Sequence, residues 1–210
     1  MVDRNDLIVL AEHFFEGLGD NVIERRISAI SDDAEESLTL SPGNNYWNYS
    51  KILHLVDDDI NNRGRQLVGM TFRDIDIAPG EVISEAYIEF VCNLILNGTD
   101  DAYLLIWGHL TENSEGFVVP FVISNRPQTA AKVPWEPDPW DAGGQTIRTV
   151  NIAPVIQEII DQPGWIAGNA VEIIIGADPD KPEFIGVRGA VSYNDSPFSA
   201  PLLHIEIAEP

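Results

Sequence analysis

Cations are scarce in this chain. It carries 12 Lys and Arg against 34 Asp and Glu, a formal net charge of −22. A surface of that sign repels phosphate backbones and anionic headgroups, so no nucleic-acid partner is expected. It suits divalent cations, basic partners or plain solvation. Cysteine is nearly absent: the single Cys92 rules out an internal disulfide framework and a cysteine-rich metal site, and it reads as a small buried residue. No apolar run is long enough for a membrane-spanning helix, and no membrane insertion is expected. The leading MVDRNDLIVLAEHFF has a short apolar core followed by Glu12, with no cationic lead and no small-residue cleavage site, so no signal peptide is expected. The histidines, His13, His54, His109 and His204, show no metal-ligand spacing. The chain has no GxSxG elbow, no phosphate-binding glycine loop and no dinucleotide fingerprint. These absences point away from an enzyme.

Apolar residues make up 44% of the chain, ample for a core. Their period is mostly two. In Leu67–Phe90, Val68, Met70 and Phe72 alternate with Gly69, Thr71 and Arg73, as in a strand buried on one face. The phase slips near Asp74, because Ile75 and Ile77 carry the apolar face on the other parity, and a bulge would produce that slip. Pro79-Gly80 supplies a turn, after which Ala86, Ile88 and Phe90 resume the buried face. Further strands are expected over 22–30, 38–40, 51–56, 66–77, 83–92, 102–110, 117–124, 146–152, 170–175, 185–193 and 202–208. Short strands at such intervals predict an all-β fold, an antiparallel two-sheet β-sandwich of jelly-roll type.

Two helices accompany the strands. Leu7, Leu10, Ala11, Phe14 and Leu18 follow helical spacing over residues 5–16, with Gly17 and Gly19 as stops. Ile8, Val9 and Phe15 widen that face, which either packs on the β domain or docks on a neighbouring subunit through Leu7, Leu10, Phe14 and Phe15. The second helix, Ala153–Asp161, has Pro154 in its first turn and Pro163-Gly164 after it, and caps the sandwich. The chain thus divides into an N-terminal helical docking segment, 1–20, and a single β-sandwich domain, 21–210.

Two acidic stretches, Ser31-Asp32-Asp33-Ala34-Glu35-Glu36 and Asp57-Asp58-Asp59, read as loops after strands. Oxygen-rich loops hold hard cations, which makes Asp32, Asp33, Glu35, Asp57 and Asp59 candidate Ca²⁺ ligands, with a solvated charged loop as the alternative. The spacing of Asp57, Asp59 and Asn61 opens like a helix-loop-helix calcium loop. That motif fails, because Asn62 and Val68 stand where it needs Gly and Glu. Paired carboxylates also suggest a glycosidase, but adjacent strand residues face opposite ways and set up no acid–base separation. Asn45, Tyr46, Trp47 and Tyr49 combine rings with an amide, as sugar binding requires; the alternative is a loop folded back on the core. Val133–Trp140, stiffened by three prolines, is expected to anchor to the body of the domain.

Several stretches resemble bacterial secreted and cell-surface β-sandwich modules of the jelly-roll, carbohydrate-binding type. They are Ser31–Glu36, Val68–Phe72 leading to Ile77–Gly80, Ala86–Phe90, Val133–Trp135, Val155–Ile160, Pro163–Trp165 with Gly168–Ala170, and Ala200–Ile205. In consistent order they span about residues 28–208. The resemblance implies a non-catalytic sandwich used for display, adhesion or glycan contact, and it supplies no catalytic residue. The chain departs from the pattern at Thr71, where such modules often have Arg, in its aromatic loop, and in its N-terminal helix.

The expectation is a non-catalytic structural or interaction protein: a displayed decoration- or fibre-type subunit of a virion or another surface assembly. Its partners would be other subunits of that assembly, or copies of itself. The alternative is a carbohydrate-binding module, stabilised by calcium, with a glycan as partner. No cofactor beyond Ca²⁺ is expected.

Overall fold

The computed structural model describes residues 21–41, 46–94, 98, 100–118, 122–181 and 186–209. The expected helix over 5–16 and its docking residues Leu7, Leu10, Phe14 and Phe15 lie outside them, as does Asn45. Within the described residues two antiparallel sheets pack face to face.

The first sheet runs β1 (Val22–Arg26), β12 (Leu202–Ile207), β6 (Ile83–Leu94), β11 (Arg188–Val191), β4 (Ile52–Leu55), with β9 (Thr146–Arg148) also paired to β6. The second runs β3 (Tyr46–Trp47), β2 (Asp33–Ser37), β5 (Gln66–Ile75), β10 (Asn169–Ala177), β7 (Leu104–His109), β8 (Gln128–Trp135). Register puts Val68, Met70 and Phe72 of β5 beside Ile175, Ile173 and Val171 of β10, and all six are fully buried. They meet Ala86, Ile88 and Phe90 of β6 and Leu203 and Ile205 of β12 in one core drawn from both sheets. The helix α1 (Ala153–Ile160) covers part of this core with Val155, Ile156, Ile159 and Ile160. Its Glu158 accepts the Ala130 and Ala131 N–H groups, both at 2.8 Å, which ties the helix to edge strand β8.

The phase slip at Asp74 is a bulge. Between the pairs Phe72–Val171 and Ile75–Asn169, β5 advances three residues while β10 advances two, and Asp74 sits at φ +57. The Arg25 guanidinium of the first sheet donates to the Asp74 carbonyl at 2.7 Å. Because Asp tolerates left-handed backbone and β-branched residues do not, Asp74→Val is expected to cost about 1–3 kcal/mol, and Asp74→Gly no more than about 1 kcal/mol. Urea unfolding of the two variants checks this.

Pro79-Gly80 makes the expected turn, with Gly80 at φ 89 and the Glu81 N–H donating to the Ala78 carbonyl at 3.2 Å. It joins strands of different sheets: β5 ends in the second sheet and β6 begins in the first. Four readings of the sequence are corrected. The acidic stretch is not a loop; a 3-10 turn, Ile30–Asp32, leads into β2, and the strand expected over 38–40 lies instead at Asp33–Ser37. The described residues of 117–124 form no strand. Residues 128–135, within the expected connection, form β8; Pro134 is tolerated there because β8 is an edge.

Candidate functional site

Every residue of β2 is buried, although three of its five side chains are acidic. Burying a carboxylate is costly unless it is paired and hydrogen-bonded, so each must have protein partners. Their directions alternate, as in any strand. Glu35 faces the first sheet. It accepts the His54 backbone N–H (2.7 Å), the His54 ring Nδ1–H (3.1 Å) and the Gln66 amide (2.7 Å). The Nε2 of His54 lies 3.6 Å from Asp58, and Asp58 in turn holds Arg63 at 3.2 Å. Burial opposes charging of this imidazole, but the Glu35 hydrogen bond and the Glu35 and Asp58 charges outweigh it and raise its pKa. Asp33 also faces the first sheet and accepts the Tyr193 N–H at 2.7 Å. Burial, reinforced by the Glu35 and Asp32 charges, pushes its pKa up to about 7.

Glu36 and Glu172 hold described residues of the connection between β7 and β8, which strap across the outer face of the second sheet. Glu36 accepts the Ile123 N–H (2.5 Å), the Ser124 N–H (2.7 Å) and the Ser124 hydroxyl (2.9 Å). Glu172 of β10, fully buried, pairs with Arg126 and accepts the Ser114 hydroxyl at 2.6 Å. Asp32 accepts Arg73 Nε and Nη2 at 2.8 and 2.5 Å. Between these anchors Phe117 packs on Ala34, Leu67, Trp107 and Ile174. Gly69 lies directly beneath, where a β-carbon would run into the Phe117 ring.

The strap forms one wall of an open pocket of about 540 Å³ where connections from both sheets meet. It is lined by Ser28, Ala29, Ile30 and Ser31 between β1 and β2, by Asn48 after β3, by Phe117 and Val118 of the strap, and by Tyr193 after β11. Hydrogen bonds lock the walls together: Phe117 N–H to Ser31 O (2.6 Å), Asn48 Nδ2 to Phe117 O (3.1 Å), and Asn194 Nδ2 to Asn48 O (3.0 Å). The Asp33–Tyr193 bond fixes the last wall. Among the described residues the lining mixes apolar side chains with hydroxyl and amide groups, and contains no carboxylate, imidazole or thiol side chain.

The candidate calcium ligands do not converge. Asp32 is held by Arg73, Asp33 by Tyr193 and Glu35 by His54 and Gln66, while Asp57 accepts the Asp59 N–H at 3.0 Å. Among the described residues no three His, Cys, Asp or Glu side chains gather as a metal would require. The two acidic stretches do meet, through His54 and Arg63. Of the aromatic candidates, Tyr46 packs beside the cluster under the strap, and Trp47 has the Arg63 guanidinium 3.8 Å from its ring centre. Tyr49 is 66% exposed and stands next to the pocket residue Asn48. Trp135 and Trp140 are buried against Phe90, as anchors of the 133–140 stretch. Ser28, Ile30, Phe117, Val118 and Tyr193 escape a reading by motif, since they are distant in sequence and individually ordinary. The one signal was Glu172, an isolated acid in the apolar run AVEIIIG that demands a buried partner.

The two-sheet antiparallel architecture is the one the sequence resemblance implied. No family model matches the chain, and no curated protein matches it. Among solved structures, a chain described as "xylan-binding module CBM15" is similar at 15% identity, over 91% of this chain and 99% of that one, with a TM-score of 0.32. A superposition that loose carries no argument about what this chain binds, which has to come from the pocket.

Proposed function

We propose that this protein is a non-catalytic saccharide-binding domain and that the pocket bounded by Ser28–Ser31, Asn48, Phe117-Val118 and Tyr193 is its site. The observation that carries this is the pairing of apolar side chains with hydroxyl and amide groups in the lining of one open pocket. A pyranose has the matching anatomy, with apolar C–H faces and a rim of hydroxyls. Tyr49, exposed and next in sequence to Asn48, offers a ring to a further sugar unit. Among the described residues the lining carries no carboxylate, imidazole or thiol side chain.

Affinity electrophoresis on gels containing galactomannan, mixed-linkage β-glucan or arabinoxylan tests the proposal. Retardation is expected on at least one of them. Asn48→Ala is expected to weaken it about tenfold, the effect of one lost polar contact, and Ile30→Asp, which charges the exposed apolar wall, to abolish it at unchanged melting temperature. Absence of retardation on every gel, or full retention by Ile30→Asp, would overturn the proposal.

A further inference from the structure

One side chain outside the pocket is tied to two of its walls. Arg73 follows Gly69 and Thr71 on β5 at alternate positions, on the face that the strap crosses. Its Nε and Nη2 grip Asp32 Oδ1 at 2.8 and 2.5 Å. Asp32, fully buried, turns its other contacts to the pocket lining. Ser28 Oγ donates to its Oδ2 at 3.1 Å, and Ser31 Oγ to its Oδ1 at 3.4 Å. The same Nη2 of Arg73 donates to the Glu115 carbonyl of the strap at 3.3 Å. A guanidinium serves two such partners because its N–H groups diverge in a fixed planar fork, which an ammonium lacks.

The strap lies on this contact without room to spare. Gly116 has φ +81, and a β-carbon there would stand 2.7 Å from the Ser31 carbonyl oxygen and 2.9 Å from Arg73 Nη2. The next residue, Phe117, donates its N–H to Ser31 O at 2.6 Å and accepts Asn48 Nδ2 on its carbonyl at 3.1 Å. From the other side Arg126, paired with Glu172, donates to the Gly116 carbonyl at 2.9 Å. Glu115 and Gly116 are thus clamped between two guanidiniums, each paired with a fully buried carboxylate. Of these two, Arg73 is the one linked through Asp32 to the Ser28–Ser31 wall.

We infer that Arg73 is a positioning residue of the site, which sets the Ser28–Ser31 wall against the Phe117-Val118 wall. This inference rests on the saccharide-binding reading above. Arg73 does not line the pocket; it acts through residues that do. Walls fixed before a ligand arrives need no ordering on binding, and affinity gains by that much. Without the fork the strap and the serine wall move independently, and each sugar bound must order them again.

Arg73→Lys tests this, because lysine still places a cation beside the buried Asp32 but has no fork. On whichever of galactomannan, mixed-linkage β-glucan or arabinoxylan retains the native protein, retention is expected to weaken about tenfold. With no ligand present, amide hydrogen exchange at Phe117 is expected to speed up about tenfold, while exchange at Ile173 in the core of β10 keeps its native rate. Gly116→Ala, which drives a β-carbon onto the Ser31 backbone and alters no charge, is expected to give the same pattern. A general loss of stability would speed exchange at both amides, so equal acceleration at Ile173 in Arg73→Lys would overturn the positioning role. Unchanged exchange at Phe117 in Arg73→Lys, or full retention by that variant, would overturn it too. A native protein retained on none of the three polymers would overturn the saccharide reading instead, and exchange at Phe117 would still decide whether Arg73 sets the wall.

Discussion

Replacing Asp33 with Asn is expected to stabilise the protein at pH 8 by up to about 4 kcal/mol, an effect that vanishes by about pH 4. Asp33 is buried, and burial pushes its pKa in the fold up to about 7 from an ordinary value of 3.8. Between those values the folded state holds a proton that the unfolded chain has released, so stability falls as pH rises through that window and the full penalty applies above it. The size follows from the gap, at 1.36 kcal/mol per pKa unit, and is an order-of-magnitude figure. Asn keeps an oxygen for the Tyr193 N–H and carries no charge near Glu35 and Asp32. The raised pKa of His54 works in the same direction: its contribution is complete below the unfolded value near 6.5 and is lost as pH rises through the folded one. The native protein should accordingly melt at a lower temperature at pH 8 than at pH 5.5, and Asp33→Asn should flatten that slope. A difference between the two proteins that does not change with pH would show that Asp33 is charged throughout, and that burial is not the dominant influence on it.

Removing Glu172 should be the most damaging single change to the strap. Glu172→Ala takes away the buried acceptor of Arg126 and Ser114, and breaking a buried pair by deleting one partner costs about 3–5 kcal/mol. Much of that is the penalty of leaving the Arg126 charge, only 14% exposed, without its counter-ion. The double variant Glu172→Ala, Arg126→Met should therefore recover a large part of the loss. A double-mutant cycle by urea unfolding isolates the coupling. Glu172→Ala should also weaken saccharide retention, because Arg126 braces the strap through the Gly116 carbonyl and lies 4.6 Å from the Phe117 ring centre. A loss below about 1 kcal/mol, or a double variant worse than the single one, would contradict the view that these buried acids hold the strap to the sheet.

The two cases show why some of the molecule could be read from its residues and some could not. The strand parity of Val68, Met70 and Phe72, the slip at Asp74, the Pro79-Gly80 turn and the helix begun by Pro154 are local signals. Each depends on neighbours within a few residues, and each appears in the structure. β2 was illegible for the opposite reason. Asp and Glu are poor strand formers, and what overrides that preference arrives from far along the chain. The His54 amide is 19 residues from Glu35, Arg73 is 41 from Asp32, and Tyr193 is 160 from Asp33. The same holds for the pocket. Reading the acidic stretch as a loop missed that four of its side chains each fix a different piece of backbone or side chain. Three of those pieces, at Tyr193, at Ser28 and Ser31, and at the strap, are walls of the pocket. Of the aromatic loop, Asn48 lines the pocket and Tyr49 follows it in sequence, whereas Trp47 is engaged by Arg63.

The central claim is that this pocket, rather than a sheet face, meets the ligand. The most direct measurement is backbone amide chemical-shift mapping of the labelled protein titrated with oligosaccharides from whichever neutral polymer retards it. Perturbations concentrated at Ser28–Ser31, Asn48-Tyr49, Phe117-Val118 and Tyr193 are the predicted result. Perturbations centred instead on the exposed face of the first sheet around Tyr87 and His204, with the pocket residues unmoved, would contradict the account.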